Sequence, residues 1–385
     1  MNNHLLEPSR EMKELSEQLR SVMAGSIEQA GGWIPFDQWM SQALYTPGLG
    51  YYSSLQGLGD EGDFVTAPEI SPLFSRVVAR QIEPILSVMA STSILEFGAG
   101  SGVMAADILL ELERQQQLPD SYKILELSGT LRARQRDTLT QRVPHLLERV
   151  SWLEELPQSP LQGVVVANEV MDAIPFERFV MRGGTPVAVG LSIGSDGQMV
   201  LVENPESEIK LPAGIDVGGL AEGYSSEIRP GISPWIHSIS EFLQQGMVLL
   251  IDYGYQRSEY YRPERQNGTL SCFYRHHQHD DPLTLPGLQD ITAHVDFTAV
   301  AEAADESELS VAGFTTQAYF LLAGGIAGLA EEELLDDLQT RVETSRAIQQ
   351  LAMPAQMGEM VKVMALTKGV ELPDTFTIHD QCHTL

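Results

Sequence analysis

Apolar residues follow two different rhythms along the chain. Near the N-terminus they recur at steps of three or four, which predicts an amphipathic helix. The members of this set are Met12, Leu15, Leu19, Val22, Met23 and Ile27. The segment FDQWMSQALY that follows predicts a short helix that stops at Pro47 and Gly48. From residue 92 onward the rhythm changes to short, nearly continuous apolar runs, which are typical of strands buried on both faces of a sheet.

Seven of these runs predict strands. The four that predict the central strands are SILEF (93–97), YKILEL (122–127), GVVVAN (163–168) and GMVLLIDY (246–253). RVSWLEEL (149–156) predicts a further strand, and LSVAGFTTQAYFLL and EMVKVMALTKG could supply the last two. Strands that alternate with helices of this length indicate a doubly wound α/β core.

Two segments interrupt this alternation. Residues 179–205 show period-two apolar patterning around the turn-like GSDGQ, and they predict antiparallel strands inserted in the core. Residues 256–296 are rich in Tyr, His, Arg and Pro, and they predict a long structured loop. The expected division is therefore an N-terminal helical cap and lid segment (1–90), a core (91–370) with inserts near 179–232 and 256–296, and a loose tail (371–385).

The stretch ILEFGAGSG (94–102) predicts a ligand-binding turn. Gly98, Gly100 and Gly102 follow a strand and precede a helix, and glycine suits a turn that needs φ > 0 or close approach of a ligand to the backbone. Nucleotide-like ligands bind at this place in open α/β sheets. A turn whose glycines only pack strand against helix is the structural alternative.

Two ligands compete for this turn. A dinucleotide would place its pyrophosphate at the helix N-terminus, and Gly100, Gly102 and Ala105 fit the relaxed form of its G-x-G-x-x-G fingerprint. S-adenosylmethionine has an ammonium that Glu96 could face, directly or through water. The full E-x-G-x-G-x-G match favours S-adenosylmethionine as the cofactor. Glu126, placed at the end of the next predicted strand, would bind the ribose hydroxyls of either ligand.

The segment GVVVANEVMDAIPFERF (163–179) contains a second group of polar residues. Asn168, Glu169 and Asp172 come directly after a predicted strand, at the carboxyl edge where open α/β sheets hold their active sites. An Asn turn and a helix N-cap at Asp172 are the structural alternative. We expect this group to lie in the active site.

Two further segments contain candidate polar residues. GDFVTAPEIS includes Asp63, Pro68 and Glu69, which could equally cap a turn and begin a helix. ITAHVDF places His294 and Asp296 two positions apart, where they could form an acid–base unit or, alternatively, a structural histidine beside an acid.

Composition and charge exclude several function classes. The chain of 385 residues is 43% hydrophobic, which is typical of a folded protein of one elaborated domain or two. It has 24 Lys and Arg against 53 Asp and Glu, a formal charge of −29, which argues against nucleic acid as a partner and favours a cationic substrate.

Cysteine and histidine usage predicts no metal site. The two cysteines, Cys272 and Cys382, form no CxxC pair, and RHHQHDD (275–281) has no partner motif. The N-terminus has no secretory pattern, and the longest apolar run, AYFLLAGGIAGLA (318–330), is shorter than the ~20 residues that span a bilayer. We expect a cytoplasmic protein without membrane insertion.

Taken in their order, several segments resemble the MidA-like class I S-adenosylmethionine-dependent methyltransferases over about residues 35–368. The segments are GDFVTAPEIS, ILEFGAGSG, ILELSGTLRARQ, VVVANEVMDAIPFERF, LLIDYGY, GTLSCFYRHH, DITAHVDFTAV and MGEMVKVMALTKG. The resemblance implies a Rossmann-like class I methyltransferase sheet with an N-terminal helical cap and an inserted β/loop subdomain. The family includes a mitochondrial protein arginine methyltransferase that assists complex I assembly, so it implies methylation of a protein on arginine, with a respiratory complex subunit as a candidate acceptor.

The resemblance also implies residue roles. Donor binding falls to Glu96, Gly98, Gly100, Gly102, Glu126 and Asn168, and closure over the donor to Gly62, Asp63, Pro68 and Glu69. Tyr255, His294 and Asp296 resemble residues near the substrate entrance. We predict Glu169 and Asp172 as acids that orient the acceptor, and His294 with Asp296 as the proton route.

Two rival functions stay open. The first is an assembly factor that binds the donor and a partner protein without turnover, and the second is an NAD-linked oxidoreductase. The expected partner is a protein with a cationic acceptor residue, and the sequence leaves open whether the chain forms a homodimer.

Overall fold

The computed structural model describes residues 6–54, 66–333, 338–373 and 378–385. In chain order the helices are α1 (Arg10–Gln29), α2 (Phe36–Tyr45), α3 (Ala67–Ile70), α4 (Pro72–Ser87), α5 (Val103–Arg114), α6 (Gly129–Arg142), α7 (Ile232–Phe242), α8 (Arg257–Tyr260), α9 (Phe297–Asp305), α10 (Gln317–Ala323), α11 (Ile326–Glu333) and α12 (Leu338–Ala352).

The strands, again in chain order, are β1 (Ile34–Pro35), β2 (Ser93–Phe97), β3 (Ser121–Leu125), β4 (Val150–Leu153), β5 (Leu161–Asn168), β6 (Glu177–Arg182), β7 (Thr185–Ile193), β8 (Met199–Asn204), β9 (Ser225–Ile228), β10 (Leu243–Tyr255), β11 (Ser271–Tyr274), β12 (His277–His279), β13 (Asp290–Thr292), β14 (Val295–Asp296), β15 (Ser310–Thr316) and β16 (Val361–Lys368).

The chain divides into two compact units that interleave along the sequence. The insert unit comprises Met1–Phe64, Asp172–Ile232 and Gln256–Asp296. The sheet unit comprises Val65–Met171, Ser233–Tyr255 and Phe297–Leu385. The expected domain boundary near residue 90 stays a prediction, because compact units need not be domains that fold independently.

The sheet unit is built on strands in the order β15-β16-β10-β5-β2-β3-β4. The strands from β10 to β4 are parallel, and β16 runs antiparallel to both of its neighbours. Val164, Val166 and Leu249 are fully buried in a core that α4 and α5 share. Burial of this kind is why these strands are nearly continuous apolar runs. The doubly wound α/β core and all seven predicted strands are confirmed.

The insert unit has two small antiparallel sheets. One has the order β1-β7-β6-β9 with β8 paired to β7, and the other has the order β12-β11-β13. Its separate core includes Phe36, Trp39 and Phe176, and the rings of Phe36 and Phe176 stack with centroids 5.3 Å apart. The antiparallel strands predicted within 179–205 are confirmed. The segment 256–296, expected to be a loop, also forms short strands.

The C-terminal tail differs from the expectation. Phe314 N donates to Asp380 Oδ1 at 3.0 Å, and Gln381 N donates to Phe314 O at 2.6 Å. The end of the chain is therefore held against β15 and is not loose. The physical reason is that β15 is the last strand in the sheet order, so that one of its sides offers main-chain groups to another segment. Across the described ranges, no helix is long and apolar enough to cross a membrane.

Candidate functional site

The glycine turn between β2 and α5 adopts a backbone that favours glycine. Gly98, Gly100 and Gly102 have φ of +60°, +53° and +85°, in the left-handed region that L side chains rarely adopt. A Cβ on Gly102 would lie 3.1 Å from the Cα of Gln135, whereas one on Gly100 would meet nothing within 4 Å. The turn thus has an open side at Gly100, where a ligand can approach the main chain.

Glu96 lies beneath this turn, on β2. Its side chain is 1% exposed, and the hydroxyl of Tyr122 donates a hydrogen bond to Glu96 Oε2 at 2.7 Å. Burial raises the pKa of Glu96 to about 7, although the Tyr122 hydrogen bond opposes that rise. This carboxyl group therefore titrates near neutral pH. Its contact with a donor ammonium stays a prediction.

Glu126 follows β3 directly and is held by two donors. Glu126 Oε1 accepts from Ser128 N at 2.9 Å, and Oε2 accepts from the side-chain amide of Gln135 at 3.1 Å. Burial raises the pKa of Glu126, while both hydrogen bonds lower it. Gln135 also donates to Gly100 O at 3.1 Å, so it joins the predicted ribose acid to the glycine turn. Sequence reasoning assigned no role to Gln135, although this residue ends the segment ILELSGTLRARQ.

The end of β5 carries two unusual features. Asn168 is buried, and its Oδ1 has no hydrogen-bond partner in the described part of the chain. Glu169 has φ of +52°, which is uncommon for a residue other than glycine. Its main chain is fixed by a hydrogen bond from Glu169 N to Ile251 O at 2.8 Å. Strained backbone of this kind concentrates at functional sites, which supports an active-site role for this segment.

Asp252 is a second residue that sequence reasoning missed. This fully buried carboxylate accepts hydrogen bonds from Val170 N at 3.2 Å and Met171 N at 2.8 Å. It thereby fixes the segment that follows Glu169. A signal was present, because Asp252 is an acid within the apolar run of β10, at the same edge of the sheet as Asn168.

The predicted closing segment is described only in part. Asp63 and Gly62 lie outside the described residues. Pro68 is buried in α3, and Ser101 of the glycine turn donates a short hydrogen bond to Glu69. Of this group the structure therefore brings Glu69 to the glycine turn.

Asp172 and His294, in the insert unit, are joined through Arg229. Its guanidinium donates to four main-chain oxygens at 2.8–3.0 Å, those of Asp172, Ile174, Ala293 and His294. Burial raises the pKa of Asp172 to about 6, and the charge of Arg229 opposes that rise. Sequence reasoning missed Arg229, whose segment SSEIRPGI matches no motif.

Asp296 forms a buried ion pair. Arg257 Nε lies 3.0 Å from Asp296 Oδ2, and both side chains are buried. His294 is half-buried, and its main-chain N donates to Thr269 Oγ1 at 3.0 Å. The acid–base unit of His294 and Asp296 stays a prediction, and Arg257 engages the Asp296 carboxylate. Tyr255 lies in the sheet unit, with Lys362 Nζ 5.2 Å from its ring centroid.

Several groups of the sheet unit could contact an S-adenosylmethionine-like ligand. They are an open glycine turn, a buried carboxylate at Glu126 and the Oδ1 of Asn168, which has no hydrogen-bond partner in the described part of the chain. These groups suit the hydroxyls and ammonium of such a ligand.

Residues 77–315 match a family model described as S-adenosyl-L-methionine-dependent methyltransferase. A crystal structure from Burkholderia thailandensis, of a superfamily member described as a candidate methyl transferase and bound to S-adenosyl-homocysteine, matches with a TM-score of 0.94. It is 40% identical in sequence, and the match covers 99% of this chain and 100% of that chain.

Curated relatives are similar over most of their length. The mitochondrial protein arginine methyltransferase NDUFAF7 homolog of Drosophila melanogaster is 29% identical over 95% of this chain and 90% of its own. Mitochondrial protein arginine methyltransferase NDUFAF7 of Rattus norvegicus is 28% identical over 92% of this chain and 85% of its own.

Proposed function

Since this chain belongs to the family of S-adenosyl-L-methionine-dependent methyltransferases, we propose that it methylates a protein on an arginine side chain. The chain is an S-adenosyl-L-methionine-dependent methyltransferase, and the proposal concerns the acceptor of the methyl group. The arginine acceptor is supported by curated relatives that carry the name protein arginine methyltransferase at 28% and 29% identity. A respiratory complex subunit is the candidate acceptor protein.

S-adenosyl-L-methionine supplies a methyl carbon bound to a sulfonium, and the chain must hold the acceptor in line with it. We propose that Glu126 accepts hydrogen bonds from the ribose hydroxyls of S-adenosyl-L-methionine, and that Asn168 Oδ1 accepts one from an N–H group of the same molecule. Both residues are buried hydrogen-bond acceptors at strand ends. Positioning of this kind can contribute on the order of 7–11 kcal/mol to lowering the barrier.

A guanidinium acceptor brings a second cation to the site. Two such cations at ~4 Å repel by about 4 kcal/mol at an effective dielectric near 20. Glu169 and Asp172, three residues apart in the chain, would offset this repulsion and bind the guanidinium fork. The observation that carries the proposal is the placement of Asp172, a half-buried acid whose main-chain oxygen accepts a hydrogen bond from Arg229 at 2.9 Å.

The acceptor proton leaves with the methyl transfer or after it. A nearby carboxylate raises the pKa of a guanidinium, and free deprotonation at pH 7 would cost roughly 7 kcal/mol from a pKa near 12.5. We assign proton uptake to the His294 imidazole. Asp296, paired with Arg257, would orient that imidazole and not itself take the proton.

The test is methyl transfer from isotopically labelled S-adenosyl-L-methionine to arginine- and lysine-containing peptides and to subunits of a purified respiratory complex. We expect label in methylarginine with equimolar release of S-adenosyl-homocysteine. Glu169→Gln and Asp172→Asn should keep donor affinity and lose at least tenfold in turnover. Label on lysine would overturn the arginine assignment, and donor binding without any release would favour an assembly factor. The cytoplasmic location stays a prediction, and formation of a homodimer stays open.

A further inference from the structure

Gln135 is fully buried in α6 and uses its whole side-chain amide. Its Nε2 donates to Gly100 O and to Glu126 Oε2, both at 3.1 Å. Its Oε1 accepts from the indole of Trp152 at 2.9 Å. The two N–H groups and the oxygen of the Gln135 amide therefore form hydrogen bonds with three different segments of the sheet unit. Three such hydrogen bonds fix a buried amide in one orientation.

The two acceptors of Gln135 belong to different parts of the candidate donor site. Gly100 lies in the turn after β2, and Glu126 follows β3. The main chain of Gln135 also packs against this turn, because a Cβ on Gly102 would lie 3.1 Å from the Gln135 Cα. The side chain of Gln135 therefore sets the spacing between the open glycine turn and the Glu126 carboxylate.

Gln135 also influences the charge state of Glu126. Burial raises the pKa of this carboxyl group, and the hydrogen bonds from Ser128 and Gln135 oppose the rise. Loss of the Gln135 N–H would raise the pKa further and leave more of the group neutral. A neutral carboxyl group accepts hydroxyl hydrogen bonds less strongly than a carboxylate does.

We propose that Gln135 is a positioning residue for the methyl donor, acting through Gly100 and Glu126. It holds the turn and the carboxylate in register and opposes the rise that burial causes in the pKa of Glu126, so affinity for the methyl donor depends on its amide. The proposal rests on the assignment of Glu126 to the donor.

The test is calorimetric titration of the full chain with S-adenosyl-homocysteine at pH 6 and pH 8. Gln135→Met keeps the length of the side chain and removes its hydrogen bonds, and we expect affinity to fall about tenfold at pH 8. The loss should be larger at the lower pH, because removal of the Gln135 N–H raises the pKa of Glu126 further. Gln141→Met, on the exposed face of the same helix, is the matched control and should bind as the wild type does.

A second variant distinguishes loss of the Gln135 hydrogen bonds from a general folding defect. Gln135→Glu can still accept from Trp152, and a proton shared with Glu126 would replace the lost amide N–H. Two neighbouring carboxylates lose such a proton and repel as pH rises, so this variant should lose more affinity at the higher pH, opposite to Gln135→Met.

Combination with Glu126→Gln separates the outcomes. If Gln135 acts through Glu126, Gln135→Met should weaken binding less in the Glu126→Gln background, and without the pH dependence. Wild-type affinity in Gln135→Met, or an equal loss at both pH values that adds fully to that of Glu126→Gln, would overturn the proposal. Wild-type affinity in Glu126→Gln would instead overturn the donor role of Glu126 and the proposal with it, while the methyltransferase activity would still be measurable.

Discussion

The sheet unit and the insert unit fix main-chain segments near their candidate site residues in different ways. In the sheet unit the buried acceptor Asp252 binds the main-chain N–H groups of Val170 and Met171. In the insert unit the donor Arg229 binds four main-chain oxygens, one of them that of Asp172. Asp252 and Gln135 share such contacts in the sheet unit, whereas one guanidinium makes all four of these in the insert unit. Single substitutions should therefore have unequal effects in the two units.

The largest effect is expected at Arg229. Arg229→Met leaves four carbonyl groups without their donor and removes the charge that opposes protonation of Asp172. We expect a loss of about 3 kcal/mol or more in the free energy of unfolding, measured by urea denaturation. Arg182→Met is the matched control in the same unit, because its side chain is 43% exposed and its ion pairs with Glu203 and Glu222 lie at the surface, where such pairs contribute little to stability.

The turnover and the ligand affinity of Arg229→Met give a second test of the difference between the two units. Turnover should fall much more than affinity for S-adenosyl-homocysteine, since the residues that we assign to the methyl donor lie in the sheet unit. Equal losses in turnover and in affinity would contradict that assignment.

The second largest effect is a pH dependence of the unfolding free energy, which we expect from Glu96 in the sheet unit. The pKa of Glu96 is raised from 4.5 to about 7, so the folded state binds the proton more tightly than the unfolded state does. The resulting stability is fully present below pH 4.5 and is lost as pH rises through 7, by about 3 kcal/mol in total. Glu96→Gln should remove this loss, measured as the unfolding free energy at pH 4.5 and pH 8.

The insert unit provides the contrast for this measurement. The pKa of Asp172 is raised to about 6, so this group also makes the unfolding free energy fall as pH rises. That contribution should persist in Glu96→Gln and disappear in Asp172→Asn. A pH profile that is identical in wild type and Glu96→Gln would contradict the burial of that carboxyl group in solution.

The smallest effect on stability is expected at Gly100. Gly100→Ala places a Cβ in the left-handed region at a cost of about 1–2 kcal/mol, with nothing in the described chain within 4 Å of it. Gly197→Ala in the insert unit has φ of +78° and equally open space, so its cost should be the same. Only Gly100→Ala should weaken S-adenosyl-homocysteine binding, at least tenfold by calorimetry. Equal donor affinity in both variants would show that the ligand does not approach Gly100.

The amino-acid sequence by itself determined the strands, the glycine turn and the polar residues Glu126 and Asn168 at the strand ends. Apolar runs predict buried strands because burial on two faces requires apolar side chains throughout. The three glycines predict a left-handed turn because other residues rarely adopt that backbone. Glu126 and Asn168 follow from the same logic, since strand ends meet at one edge of a parallel sheet. Their contacts with ligands stay predictions.

Only the tertiary structure decided how these residues are held. Gln135 and Gly100 are 35 positions apart, and Arg229 and Asp172 are 57 apart. The Arg257–Asp296 ion pair and the hydrogen bond between Asp380 and Phe314 of β15 also join residues that are far apart in the sequence. Periodicity reports which face of an element is buried, but a hydrogen bond between distant segments depends on where packing brings them together. The sequence therefore identified Glu126 and Asn168 at the strand ends, and the tertiary structure identified Asp252, the amide of Gln135 and the guanidinium of Arg229 that position the site.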